Sequence, residues 1–291
     1  MNKVNTFLIG AQKAGTTSLY DWLGQHPEIN APSVIKDYHF FTNDELFKKG
    51  ITHFNSFYKK NNRCPVNLHA AVNYLFFNEI AVKRITEYNP DSKIIICLRN
   101  PQDRAISAFK YFKRTAREKY NFDTALSREL NGKLSHHELS NNSYILHGKY
   151  SAQIEVFMNY FKREQVHFVL FEELMDKRLR NNILKDICDF LNIDSNIKFQ
   201  FTHLNKSATP RINFINKLVR ENQTIKSFKF LLPFQIRRRL FKKIEELNIS
   251  KKDIEVEISN QAIKILSTNL GEEREKIGQI IQRDLSKIWG K

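Results

Sequence analysis

Cysteine is scarce in this chain: Cys64, Cys97 and Cys188 are the only three in 291 residues. They are too few and too scattered for a disulfide framework, and no CxxC or Cys/His spacing suggests a zinc site. They read as buried or incidental thiols, with Cys97 in an apolar run as the core member, and they fit a reducing compartment. Glycine (9) and proline (7) are also sparse, which excludes a collagen-like or linker-dominated chain. Long hydrophobic runs are missing. No stretch approaches the ~18 apolar residues of a spanning helix. Phe7-Leu8-Ile9, near the start, is shorter than the core of a signal peptide. These absences predict a cytoplasmic protein, at most peripheral to a membrane. Acid is in short supply as well. Asp and Glu number 31 against 47 Lys and Arg, a net charge of +16. Such a balance predicts anionic partners, with nucleic acid, phospholipid, acidic glycan and nucleotide phosphate all open.

What is present argues for one folded α/β domain over residues 1–291. Hydrophobic residues make up 41% of the chain, too many for disorder. Val4 to Ile9 reads as a strand ending at Gly10, and Thr17-Ser18 opens a helix carrying Leu19, Trp22 and Leu23. Residues 28–65 read as a long loop with short helices. Lys93 to Leu98 (KIIICL) is apolar on both faces, as a central parallel strand should be. Asn100 then suits an N-cap and Pro101 a first helical position. Ser151–Phe161 and Ile183–Leu191 read as helices and Val166–Phe171 as a strand. The alternation predicts a three-layer αβα fold with a central parallel sheet and a P-loop-like phosphate turn.

That turn reads Gly10-Ala11-Gln12-Lys13-Ala14-Gly15-Thr16-Thr17. A nucleotide P-loop is GxxxxGK[ST]. Gly10, Gly15 and Thr17 fit, but Thr16 stands at the lysine position and the lysine appears at 13. A glycine-rich turn running into a helix N-terminus still offers amides and a positive dipole end to an anion. ATPase chemistry fits less well: the second strand ends in Leu98-Arg99, where a magnesium-holding aspartate would stand. A cation there suits another phosphate.

The run FLIGAQKAGTTSLYDWLGQHPEI resembles the 5′-phosphosulfate loop of sulfotransferases, enzymes that use 3′-phosphoadenosine 5′-phosphosulfate (PAPS). The run LRNPQDRAISAF, residues 98–109, resembles that family's 3′-phosphate motif. KDYHFF (36–41) is similar to a K-E-x-H-F-F element of the bacterial and heparan-type carbohydrate branch. HGKYSAQIEVFMNYFKREQVHFVLFEEL, a loop with Asn205-Lys206-Ser207 and Pro210-Arg211, and the tail RDLSKIW extend the likeness. The resemblance implies a PAPS-dependent sulfotransferase that needs no metal. Its acceptor would be a hydroxyl or amine, most naturally of a carbohydrate.

Sulfuryl transfer asks for a base on the acceptor, in-line geometry and a cation at the leaving phosphate oxygen, so positioning and electrostatics dominate. The resemblance makes Lys13 the leaving-group cation. Gly15, Thr16, Thr17 and Ser18 would hold the 5′-phosphosulfate, and Arg99 and Ser107 the 3′-phosphate. Lys206 and Arg211 would close over the nucleotide. Asp37 takes the place of the branch's glutamate base, one methylene shorter. His69 stands where the family often has a second glutamate, and is the second candidate base, with His39 behind it.

Residues 211–243 hold ten basic residues and one acid, Glu221. The run FKFLLPFQIRRRLFKKI (228–244) mixes apolar groups with cations. The whole basic segment, 211–252, reads as a solvated helix face or as a surface for an anionic glycan or a lipid-linked acceptor at a membrane. Two other functions stay open on the residues alone, a P-loop-type nucleotide kinase and a basic nucleic-acid-binding protein. The chain lacks the magnesium carboxylate of the first and any reading module of the second. No specific nucleic acid is therefore expected as a partner.

Overall fold

A computed structural model describes residues 3–58, 64–201, 209–210, 249–250 and 256–290. The strands of the main sheet are β1 (Thr6–Gly10), β2 (Ile29–Asn30), β3 (Val66–Ala70), β4 (Lys93–Leu98) and β5 (Val166–Leu170). They run in the order β2-β3-β1-β4-β5, and every pairing is parallel. Helices flank the sheet, as the alternating pattern predicts. Ile94 to Leu98 are all fully buried, which places KIIICL at the centre. Enclosing one such side chain contributes ~1.5–3 kcal/mol before its lost freedom is counted.

Residues 28–65 do contain short helical pieces, Ser33–Ile35, Phe40–Thr42, Asp44–Phe47 and Ile51–Asn55. Beyond them lies β3, which the sequence pattern does not announce. Its five residues, VNLHA, are all buried although two are polar. Internal partners make this possible: Asn67 accepts from Asn30 Nδ2 (2.8 Å) and donates to the Lys3 carbonyl (3.0 Å).

The chain divides into two compact units. The first holds residues 1–105, 145–202 and 266–291, and with them the whole five-stranded sheet. The second holds 106–144 and 203–265. In the second, Phe109, Phe122 and Tyr144 form an aromatic core. Two buried acids serve that core: Glu118 accepts from the Tyr144 hydroxyl (2.7 Å) and Glu129 from the Tyr144 amide (2.6 Å). Two-residue strands at Thr209–Pro210 and Ile249–Ser250 pair antiparallel in this unit.

In the main sheet the chain goes from β1 to the edge strand β2, returns to β3 beside β1, then crosses to β4 and β5 on the other side. The order therefore reverses between β1 and β4. In open parallel sheets a ligand binds outside the carboxyl ends of the strands at such a point.

Candidate active site

The turn after β1 is built from backbone. The Ala11 amide donates to the Cys97 carbonyl (2.6 Å), and the Cys97 thiol donates to the Ala14 carbonyl (2.6 Å), so the turn is fastened to β4. Lys13 (φ 65°) and Gly15 (φ 82°) are both left-handed, which reverses the chain within a few residues. A Cβ at Gly15 would also lie 2.9 Å from the Phe171 ring. Helix Thr16–Leu23 follows, with the Leu19 amide donating to the Gly15 carbonyl (3.0 Å). The amides of Thr16, Thr17 and Ser18 precede that bond and so lack helical acceptors, the arrangement that favours an anion. Thr16 and Ser18 are buried; Lys13 and Thr17 are half-buried.

A second arm comes from the end of β4. Arg99 reaches back to the turn, Nη1 lying 3.4 Å from the Lys13 carbonyl oxygen. Its guanidinium covers the Phe171 ring at 4.3 Å. Arg99 Nε is buried and has no hydrogen-bond partner among the described residues. A buried cationic donor in this state costs free energy until an acceptor meets it, and an anionic phosphate meets that need. Asn100 caps the next helix as its sequence predicts, accepting from the amides of Gln102 (3.0 Å) and Asp103 (3.2 Å). Sequence reasoning missed the groups that steady this arm. Glu172 accepts from the Asn100 amide (3.0 Å) and from the Trp289 indole (3.0 Å), and Asn100 Nδ2 donates to the Trp289 carbonyl (2.8 Å). Arg104, fully buried, lies 3.4 Å from Gln12 Oε1. The VLFEEL and RDLSKIW runs carried the signal, but nothing in them says that they meet.

A third element sits at the carboxyl end of β3. Asp37 is left-handed (φ 58°), and its amide donates to the Ala70 carbonyl (2.7 Å). Lys36 Nζ lies 2.7 Å from Asp37 Oδ2, with the two side chains 11% and 38% exposed. The following residues are gripped from below. The Tyr74 hydroxyl donates to the Tyr38 carbonyl (3.2 Å) and accepts from the Phe41 amide (3.2 Å). Burial pushes the Tyr74 phenol far above its ordinary value, so it stays protonated in this role. His69, the second candidate base, is 0% exposed. Its Nε2 is 3.0 Å from Tyr74 Oη and 3.2 Å from the Tyr38 carbonyl oxygen. Packed against Phe7 and Phe54, it is a core side chain. The ring is enclosed, with Nε2 facing these two partners.

Lys13, Gly15, Thr16, Thr17, Ser18 and Arg99 therefore gather at the ends of β1 and β4, and Asp37 at the end of neighbouring β3. Ser107 is half-buried on the helix Pro101–Arg114 and belongs to the second unit. Lys206 and Arg211 lie outside the described residues, as does the basic segment 211–252 apart from the Ile249–Ser250 backbone. Among the described residues no helix is long and apolar enough to cross a membrane.

Residues 3–246 match the family model of the sulfotransferase domain. The chain belongs to the sulfotransferase family. It is thus an enzyme, a transferase, and the family decides between the readings that the residues alone left open. Among curated proteins, the bifunctional heparan sulfate N-deacetylase/N-sulfotransferase 1 of Xenopus tropicalis is 30% identical over 204 residues, 67% of this chain and 23% of that protein. Mouse heparan sulfate glucosamine 3-O-sulfotransferase 5 is 28% identical over 198 residues, 65% of this chain and 54% of that one. The chain thus spans about a quarter to a half of the length of these relatives. A crystal structure of a sulfotransferase from Alicyclobacillus acidocaldarius shares the fold, with a TM-score of 0.69, 24% identity and 99% of both chains covered.

Proposed function

We propose that this sulfotransferase moves a sulfuryl group from PAPS to an amine or hydroxyl of a carbohydrate, with residues 1–291 acting as one sulfotransferase domain. The observation that carries the donor is the pairing of an amide-lined turn with Arg99, whose buried Nε awaits an acceptor, at one end of the sheet. The heparan sulfate sulfotransferases among its relatives support the acceptor class.

PAPS, when bound, supplies an activated sulfuryl group whose departure leaves charge on a phosphate oxygen. The amides and hydroxyls of Thr16, Thr17 and Ser18, with Gly15 allowing close approach, hold the 5′ end. Lys13 sits within that turn and meets the charge as it develops. Arg99 takes the 3′-phosphate in charge-assisted hydrogen bonds. Ser107 joins it, and Lys206 and Arg211 cover the nucleotide, on the strength of the resemblance alone. Asp37 accepts the proton of the attacking amine or hydroxyl. His69 supports the segment instead. No residue in this scheme calls for a metal. The cations of the basic segment 211–252 suit an anionic glycan as acceptor.

Calorimetric binding of 3′,5′-ADP, beside ATP with magnesium, tests the donor. Wild type should prefer 3′,5′-ADP, and Arg99→Ala should lose that preference. A preference for ATP would overturn the reading. Transfer of labelled sulfate from PAPS to N-deacetylated heparan sulfate oligosaccharides, against simple phenols, tests the acceptor class.

A further inference from the structure

Lys36 belongs to none of the roles above, yet it is among the most enclosed cations in the first unit. Its side chain is 11% exposed and its ammonium nitrogen is 2.7 Å from Asp37 Oδ2. Neighbouring residues do not ordinarily pair in this way. In extended chain, side chains i and i+1 point to opposite faces, and in a helix they diverge by about 100°. Here the backbone makes the pairing possible. Lys36 is extended (φ −57°, ψ 132°), and Asp37 turns left-handed (φ 58°), swinging its carboxylate to the side of the lysine. A non-glycine residue in that region is strained, and such strain persists where the surroundings fix it. The surroundings do fix it. The Asp37 amide is bound to Ala70 on one side, and the Tyr38 carbonyl is bound to Tyr74 on the other.

An aspartate base has two rotatable side-chain bonds and would otherwise sample several rotamers. A buried ammonium on one carboxylate oxygen removes that freedom. We infer that Lys36 is a positioning residue which, through the left-handed turn at Asp37, aims the carboxylate that takes the acceptor's proton. This rests on the proposed role of Asp37. It also explains how a base one methylene short of glutamate is used here: the strained backbone and the lysine fix its direction, and a displacement of about 1 Å at such a group costs on the order of 100-fold in rate.

The test is steady-state transfer from PAPS to N-deacetylated heparan sulfate oligosaccharides, together with 3′,5′-ADP binding, for wild type, Lys36→Met and Lys36→Arg. Methionine keeps the buried stem and removes the charge, and 3′,5′-ADP binding reports that each variant is folded. The expected result is that Lys36→Met lowers kcat about 10- to 100-fold. Donor KM and 3′,5′-ADP affinity should stay within about twofold, and Lys36→Arg should recover most of the rate, because the charge and not the stem is at stake. Unchanged kcat in Lys36→Met overturns the inference alone. A fall in 3′,5′-ADP affinity matching the fall in rate also overturns it, by making Lys36 a donor ligand. A wild type that binds no 3′,5′-ADP and transfers no sulfate overturns both this inference and the proposed function.

Discussion

Between Gly10 and Ser18 the chain builds its site from backbone: amides at a helix start, two left-handed residues, and bonds from Ala11 and to Ala14 that fasten the turn to β4. Between Ser33 and Thr42 two short helical turns flank an irregular stretch, residues 36–39. There the site depends on one carboxylate, held by a neighbouring lysine, a backbone bond to β3 and the Tyr74 hydroxyl beneath. A backbone site tolerates side-chain change so long as the turn survives. A side-chain site fails with one atom. The two should therefore break differently, the first in affinity and stability and the second in rate.

The sharpest break is Asp37→Asn, which keeps the shape and removes the proposed base. Its kcat should fall about 10²- to 10⁴-fold with 3′,5′-ADP affinity unchanged. Near-normal turnover would end the assignment. Arg99→Ala should do the reverse. Its 3′,5′-ADP dissociation constant should rise about 10- to 100-fold, the worth of hydrogen bonds to a charged group, as calorimetry would read. Gly15→Ala probes the backbone directly. With φ at 82° and Phe171 only 2.9 Å from the new methyl, it should cost about 1–3 kcal/mol of stability and weaken nucleotide binding together. Thermal unfolding with and without 3′,5′-ADP separates the two losses.

The smallest effect lies outside both segments and sets their baseline. His167 on β5 stacks against Phe190 and is pushed down to about 4, by burial first and by the Arg163 charge second. Its folded value lies below its unfolded value of 6.5, so the fold favours the neutral ring. That contribution is complete above pH ~6.5 and is lost as pH falls toward 4. It amounts to of order 1 kcal/mol once its partial exposure is allowed for. His167→Gln should flatten stability over that window and leave kcat at neutral pH unchanged.

The backbone site was legible in the sequence because its information is local. Gly10, Lys13, Gly15 and Thr17 lie within one turn, and Arg99 follows the most apolar strand of the chain. Asp37 was legible as a residue but not as a geometry. Its left-handed turn is imposed by Ala70 and Tyr74, more than thirty positions away. The same distance hid His69. At the level of sequence it is a titratable group at a glutamate's position. Only β3, whose polar Asn67 and His69 disguise a buried strand, turns it into core. Glu172 was hidden because its two partners, Asn100 and Trp289, lie 72 residues before it and 117 after it.

The Glu172 clamp has an optical consequence. The chain contains two tryptophans. Trp289 donates to the carboxylate that also holds the residue after Arg99, and Trp22 lies on the helix that leaves the phosphate turn, with the Arg180 guanidinium 4.8 Å from its ring. Both indoles are buried, and each is coupled to one arm of the donor site. The enzyme thus carries its own pair of fluorophores. Trp289→Phe and Trp22→Phe would each leave a single emitter, and titration of the two variants would time the arrival of nucleotide at the Arg99 arm and at the turn separately.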